Sequence, residues 1–304
     1  MNIRLLHRKQ LSYVWSVLAL GKKRKIIQWI TTLLYNANLT GFIKGNLYKG
    51  KLKGICVPGL NCYSCPGAIG TCPIGALQSS LSNLKRSFSY YMVGMLLLFG
   101  TVFGRFICGW ACPIGLLQEC IYKVPIMKSK RKYRFLKWLK YVVLIVFVIA
   151  IPIITMFKKR IGIPAFCKYI CPSGTIAGIS LIAVNETIRG SVALQFFIKL
   201  IILIVILMIS IRLFRPFCRF LCPLGAIYSL CNSFALFRME KDKEKCTDCK
   251  ICDQICEMNA NPSKNCNSME CIRCGKCISN CPSGALHFSF PVIKPKKADI
   301  MSER

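Results

Sequence analysis

The chain has 304 residues, a mean hydropathy of +0.47 and 54% hydrophobic residues, which argues against an ordinary soluble domain of this length. Net charge is +32, but the basic residues sit between long apolar runs, as loops facing anionic headgroups do, so no nucleic-acid partner is expected. Twenty-one cysteines beside two histidines point to metal binding rather than a disulfide framework.

Residues 1–25 form a basic lead-in. Leu11 to Leu20 is apolar but short, and no small-residue cleavage site precedes Lys22-Lys23-Arg24-Lys25, so an interfacial or cytoplasmic lead is expected rather than a removed signal. Four apolar segments follow: Ile26 to Ile43, interrupted by Gln28, Asn36 and Asn38, then Phe88 to Phe106, Tyr141 to Phe157 and Val192 to Ile211. Each approaches the length needed to cross a hydrocarbon layer of roughly 30 Å as a helix, the state that satisfies backbone groups in lipid. Nine Lys and Arg between Arg105 and Lys140 place that loop inside, against five between the third and fourth segments. Both termini are then cytoplasmic.

Each half of this region reads helix, outer cysteine segment, helix, inner cysteine segment, giving repeats at 26–125 and 126–237. The inner segments match: Arg105, Cys108, Cys112, Pro113 and Gly115 recur at the same offsets as Arg215, Cys218, Cys222, Pro223 and Gly225. The outer segments share a Cys-Pro-x-Gly ending at Cys72 to Gly75 and Cys171 to Gly174. Parallel repeats of this kind set corresponding elements around an axis along the membrane normal.

Nine of the eleven acidic residues lie after Phe237, where the composition becomes that of a soluble unit, 238–291, ahead of a tail at 292–304. That unit contains Cys246-x2-Cys249-x2-Cys252-x3-Cys256 and Cys271-x2-Cys274-x2-Cys277-x3-Cys281-Pro282, the bacterial two-cluster ferredoxin pattern written twice. Three thiolates of one run grip one cubane and the fourth crosses to the other. The expected sets are Cys246, Cys249, Cys252 with Cys281, and Cys271, Cys274, Cys277 with Cys256. Zinc sites use separated cysteine pairs rather than tight triplets. Cys266 is an extra cysteine, read as a non-ligand, and Glu257 stands where a proline usually follows.

Cys108, Cys112, Cys218 and Cys222 supply two thiolates from each half on one side, the expected ligands of a [4Fe–4S] cluster shared between the repeats. Helix starts at the following prolines, with Arg105, Arg215 and Arg219, would stabilise its negative charge. The alternative is four cysteines packed as small hydrophobes. On the outer side six cysteines exceed the four that one cubane needs. Cys65, Cys72, Cys167 and Cys171 are the leading set, with Cys62 as substitute, and a disulfide could join the two left over, Cys56 among them. Cys120 and Cys231 read as structural. His7 and His287 lie outside the apolar segments, so paired-histidine haem has no ligands, and no glycine-rich nucleotide motif is present.

Together these residues resemble the membrane polyferredoxins: the quinol-dehydrogenase membrane subunit of periplasmic nitrate reductase systems and the C-terminal part of nitrous-oxide reductase regulators. The resemblance covers roughly Ile26 to Pro291 and implies electron transfer between a cytoplasmic or quinone pool and an extracytoplasmic partner. The outer stretch Asn61-Cys-Tyr-Ser-Cys-Pro66 departs from those relatives, so quinol oxidation is not carried over. The expected architecture is an all-α membrane bundle of about four transmembrane helices in two parallel repeats, with short re-entrant or interfacial helices, plus an α+β two-cluster ferredoxin domain. The expected function is electron relay through four [4Fe–4S] clusters by a carrier or oxidoreductase subunit rather than a complete enzyme. Its rivals are quinol oxidation within a reductase complex and redox sensing. Expected partners are a cytoplasmic electron donor or acceptor, membrane lipid, and a quinone or extracytoplasmic reductase.

Overall fold

Helices, several of them with apolar side chains on their exposed faces and a few polar ones buried, make up most of the computed structural model, which describes residues 21–83, 88–126, 128–129, 133, 135–160, 162–184 and 194–290. The expected lead over residues 1–20 and the tail at 292–304 lie outside these residues.

Helix α1 covers 21–35 and shows this inversion first. Arg24 and Gln28 are buried and both donate to the Gly109 carbonyl, at 3.2 and 2.8 Å, while Trp29, Ile30, Leu33 and Leu34 are exposed. A soluble helix does the reverse; lipid rewards this arrangement. The apolar segment expected over Ile26 to Ile43 is not one helix. It breaks after 35 and resumes as α2, Leu39–Lys44, because Asn38 leaves the helical ladder to donate its side chain to the Pro66 carbonyl at 2.8 Å.

The elements that follow are α3 (Pro73–Ser82), α4 (Tyr90–Phe103), α5 (Phe106–Trp110), α6 (Pro113–Tyr122), α7 (Phe135–Lys159), α8 (Ala165–Tyr169), α9 (Pro172–Val184), α10 (Leu194–Arg212), α11 (Pro216–Phe220) and α12 (Pro223–Cys231). Among the described residues two helices, α7 with 25 residues and α10 with 19, are long and apolar enough to cross a membrane, where four were expected. Only 17% of the apolar window of α10 is buried, so it is not the core helix of a soluble protein. Helix α4 covers roughly 21 Å at 1.5 Å per residue, short of the hydrocarbon thickness. It stops at Gly104, whose left-handed φ of 53° turns the chain so that Arg105 enters the interior.

Within α7 the hydrogen-bond register widens to a π turn over Leu144–Ala150, with Ile151 donating to the Val146 carbonyl. Continuing that register would pair the Phe147 carbonyl with residue 152, which is proline and has no N–H. Gln78 of α3 supplies the missing donor at 2.9 Å. Its Oε1 also accepts the Cys167 amide at 3.2 Å, so one side chain ties α3, α7 and an outer cysteine together.

After α12 the chain enters the C-terminal part, 238–290: strand β1 (Arg238–Lys241) pairs antiparallel with β2 (Leu286–Ser289), Met239 opposite Phe288, and two one-turn helices, α13 (Ile251–Gln254) and α14 (Lys276–Ser279), lie between. This unit is clamped to the bundle by buried polar groups. Glu270 takes Arg105 at 2.8 Å and Lys140 at 2.7 Å. Arg273 donates to the carbonyls of Phe103 and Asn232 at 2.7 and 2.9 Å, and the Trp110 indole donates to the Arg273 carbonyl at 2.9 Å.

Inside the bundle Glu119 bridges Arg24 and Arg215, each at 2.8 Å. Removing the carboxylate leaves two guanidinium groups sealed without a counter-charge. Glu119→Ala is therefore expected to cost about 3–5 kcal/mol, read as a lowered thermal midpoint in detergent; an unchanged midpoint would show that water reaches the pair.

Candidate metal centres

The tail cysteines line two separate pockets. Cys246, Cys249, Cys252 and Cys281 surround one with about 400 Å³ of empty space, and Cys256, Cys271, Cys274 and Cys277 surround the other with about 430 Å³. The last cysteine of each run thus lines the same pocket as the triplet of the other. The loops achieve this with matched left-handed residues. Asp248 and Lys250 in the first run occupy the offsets of Arg273 and Gly275 in the second, all with φ between 47° and 80°. Asn259 and Gly284, three residues past Cys256 and Cys281, match in the same way at 50° and 61°. Each turn draws the chain around its pocket, and Lys250 and Gly275 stand directly before the one-turn helices α13 and α14. Cys266 lines neither pocket; its thiol donates to the Pro262 carbonyl at 3.3 Å.

The inner membrane cysteines converge as four. Burial pushes the Cys218 thiol up, and the neighbouring Cys112 and Cys108 push it the same way. Cys222 is raised likewise, by burial and then by Cys218, Cys108 and Cys112. Each Cys-Pro-x-Gly cysteine precedes a helix that begins at its proline, and Cys222 accepts the Gly225 amide at 3.3 Å. The arginines of the repeat cross over: Arg105 donates to the Cys218 carbonyl at 3.0 Å, and Arg215 donates to that of Cys108. A Cβ on Gly115 would stand 2.9 Å from the Arg215 guanidinium, and one on Gly225 would stand 3.6 Å from that of Arg105. The repeated glycine leaves room for the arginine of the opposite repeat. Gln118 adds a bond of 3.2 Å to the Cys218 sulfur and accepts the Phe217 amide at 3.0 Å. No sequence reading singled out Gln118 or Gln78, although both stand six residues after a Cys-Pro-x-Gly cysteine.

Arg219 takes a different place from that expected. It is buried, and its charged neighbours are Glu270, Cys256 and Arg105, so it stands between the tail and the inner group instead of on the inner four alone. Consecutive positions on a helix point about 100° apart, so Arg219 and its neighbour Cys218 face different surroundings.

The outer set also differs from expectation. A cleft of about 1670 Å³ of empty space is lined by Cys62, Cys72, Cys167 and Cys171, together with Lys199 of α10. Burial raises the Cys171 thiol to about 12, and Cys62 and Cys72 add to it. Cys62 therefore replaces Cys65 in this group. The tight turn in which the Cys65 amide bonds the Cys62 carbonyl at 3.1 Å carries the Cys65 side chain away toward Lys53. Cys56 is buried outside the cleft beside Cys72, and all 21 cysteines are free, so no disulfide joins the leftover pair. Cys231 packs under Gly100 and Cys120 is exposed.

Among the described residues no three Cys, His, Asp or Glu side chains close on a point that would hold a single metal ion. A zinc ion would need sulfurs at about 2.3 Å from one centre. Cysteines set around a space rather than a point fit a polynuclear cluster. Raised thiols also fit, since iron supplies the charge that makes burying thiolates tolerable.

Comparison with known proteins agrees with this chemistry. Two family models, each described as a 4Fe-4S binding domain, match residues 88–135, 141–181 and 196–241, and residues 267–287. An uncharacterized protein of Methanocaldococcus jannaschii, MJ0750, is 34% identical over 198 residues, 62% of this chain and 74% of that one. The chain belongs to this 4Fe–4S protein family. YccM of Escherichia coli K12, named as a candidate electron transport protein, is 27% identical over 78% of this chain and 68% of its own. The ferredoxin-type protein NapH of Haemophilus influenzae is 23% identical over 71% of this chain and 73% of its own. No solved structure matches. The family member is a membrane iron–sulfur electron-transfer protein, a polyferredoxin that resembles the quinol-dehydrogenase subunits and nitrous-oxide reductase regulators.

The contact between the two units yields a direct test. Gly109, between Cys108 and Cys112, abuts the Ile272 carbonyl so closely that an added Cβ would collide with it. Gly109→Val is expected to lift the tail from the bundle. Limited proteolysis should then release residues beyond about Phe237 at a rate at least tenfold above wild type, with the tail iron retained.

Proposed function

We propose that this chain conducts electrons along four [4Fe–4S] sites, from the Cys246 pocket to the Cys271 pocket, then to the inner and the outer membrane cysteines. Each cluster would supply a one-electron carrier whose potential the surrounding charges and hydrogen bonds adjust. The observation that carries the order of the sites is the seat of the tail on the bundle. Ile272, next to Cys271, packs on Gly109, next to Cys108, and Arg105 reaches from the Cys218 carbonyl to Glu270. The second tail pocket is thereby held against the inner four, while the first stays toward solvent with Cys249 exposed.

The residues have distinct tasks in this reading. Eight cysteines of the tail and four of each membrane set, Cys108, Cys112, Cys218, Cys222 and Cys62, Cys72, Cys167, Cys171, hold the clusters. Arg105 and Arg215 offset negative charge at the inner site and brace the two repeats. Arg219 offers the same to the Cys256 site. Apolar packing by Ile107, Phe217, Leu224 and Tyr228 excludes water from the inner set. Lys22 to Lys25 begin α1, where Arg24 pairs with Glu119, so these cations join the inner end.

Iron and sulfide analysis after anaerobic purification tests the site count. Four clusters predict about 16 iron atoms per chain. Cys171→Ser is expected to lower this by about four and to remove one EPR signal, while Cys65→Ser leaves it unchanged. A wild-type value near eight would leave only the tail loaded and refute the conducting path.

A further inference from the structure

Two described segments that frame most of the outer cleft, 39–83 and 151–184, are basic and carry no carboxylate. Lys44, Lys49, Lys51, Lys158, Lys159, Arg160 and Lys168 are exposed along them. They belong to one end of the molecule. Helix α2 packs its Gly41 against the Pro66 carbonyl, Lys53 donates to the Ala68 carbonyl at 2.8 Å, and Gly162 rests on Ser82 of α3, which also lines the cleft. The interior continues the pattern. Lys199 has its ammonium 3.6 Å from where a Cβ of Gly174 would stand, on the cleft wall beside Cys167 and Cys171. The tail is different, since there Lys241, Lys245 and Lys276 meet Asp248, Asp242 and Glu257 in ion pairs.

A ring of one charge sign around a recess focuses its field into the opening and speeds association with a partner of opposite charge by roughly 10–10³-fold, an effect that salt removes. The cations are spread over four chain segments, an area wider than a small molecule covers. Exposed Leu52, Ile55, Tyr63 and Tyr169 lie between them, the mixture of aromatic and apolar side chains within a charged rim that protein interfaces use. We propose that the cleft end of the bundle is a docking face for an acidic redox protein, which exchanges electrons with the outer cysteine site. The inference rests on the reading of that end as a terminus of the conducting path, and its charge preference can be measured without that reading.

Cytochrome c and its succinylated derivative carry the same haem with opposite surface charge and serve as probes. Binding of each to the full chain in nanodiscs of neutral lipid is measured at low and at physiological salt. The succinylated form is expected to bind at least tenfold more tightly at low salt, with the difference shrinking as salt rises. Lys158→Glu with Lys159→Glu and Arg160→Glu should remove most of that preference, whereas Lys243→Glu with Lys245→Glu and Lys264→Glu in the tail should not. Lys168→Glu alone should weaken binding by a smaller factor and guards against misfolding of the triple variant. An equal loss with the tail variant overturns the proposal. So does a preference that disappears when anionic lipid is added to the discs, because the cations then serve headgroups. In the reduced chain each electron that leaves turns one ferric haem ferrous. If Cys171→Ser binds the succinylated probe normally and still reduces it at the wild-type rate, the outer site as terminus fails while the docking face stands.

Discussion

Charged side chains sealed inside an apolar bundle need partners, and the way Arg105 and Arg215 find theirs organises this molecule. Each guanidinium is fully buried and reaches from its own repeat to a cysteine carbonyl of the other. Glu119 and Glu270 supply the counter-charges. An unpaired buried cation costs several kcal/mol, so the two repeats and the tail are locked into one arrangement by the need to keep these pairs intact. Four inner thiols are gathered as a consequence.

The two ion-pair systems are alike in kind and different in origin. Glu119 comes from the first repeat and joins α1 to it through Arg24. Glu270 comes from the C-terminal part and stands next to Cys271. The position that one repeat fills from within is filled in the other by the docked tail. This gives a physical account of why a ferredoxin-like unit and a membrane bundle occur in one chain: the tail completes the charge balance of the inner site as well as adding two pockets of its own.

The two membrane sites differ in their surroundings. Buried arginines, Gln118 and tightly packed aromatic and aliphatic side chains enclose the inner one. The outer one opens into a cleft whose walls are hydroxyl-rich and bear Lys199. A closed site limits exchange to neighbouring carriers, and an open one admits a partner. The contrast supports a path with one sealed middle and accessible ends.

Spacing alone determined a good deal. The C-x2-C-x2-C-x3-C runs pointed to two cysteine groups in the tail, because a short loop leaves few ways to present three thiols, and the two-cluster ferredoxin pattern supplied the exchange of Cys256 and Cys281. The matched Arg-x2-Cys-x3-Cys-Pro-x-Gly segments likewise indicated the inner group, since identical offsets place identical side chains. Contacts between distant segments were decided only in three dimensions. The tight turn at Cys62 left it, and not Cys65, on the cleft wall, and the facing of a short helix set Arg219 among Glu270, Cys256 and Arg105. Gln78 acquired its role because Pro152, far away in sequence, leaves the Phe147 carbonyl without a donor. Helix length belongs with these, since a run of apolar residues does not reveal that Asn38 or Gly104 will divert the chain to satisfy a neighbour. Local spacing constrains what lies within one loop, whereas the pairing of buried polar groups depends on which segments the fold brings together.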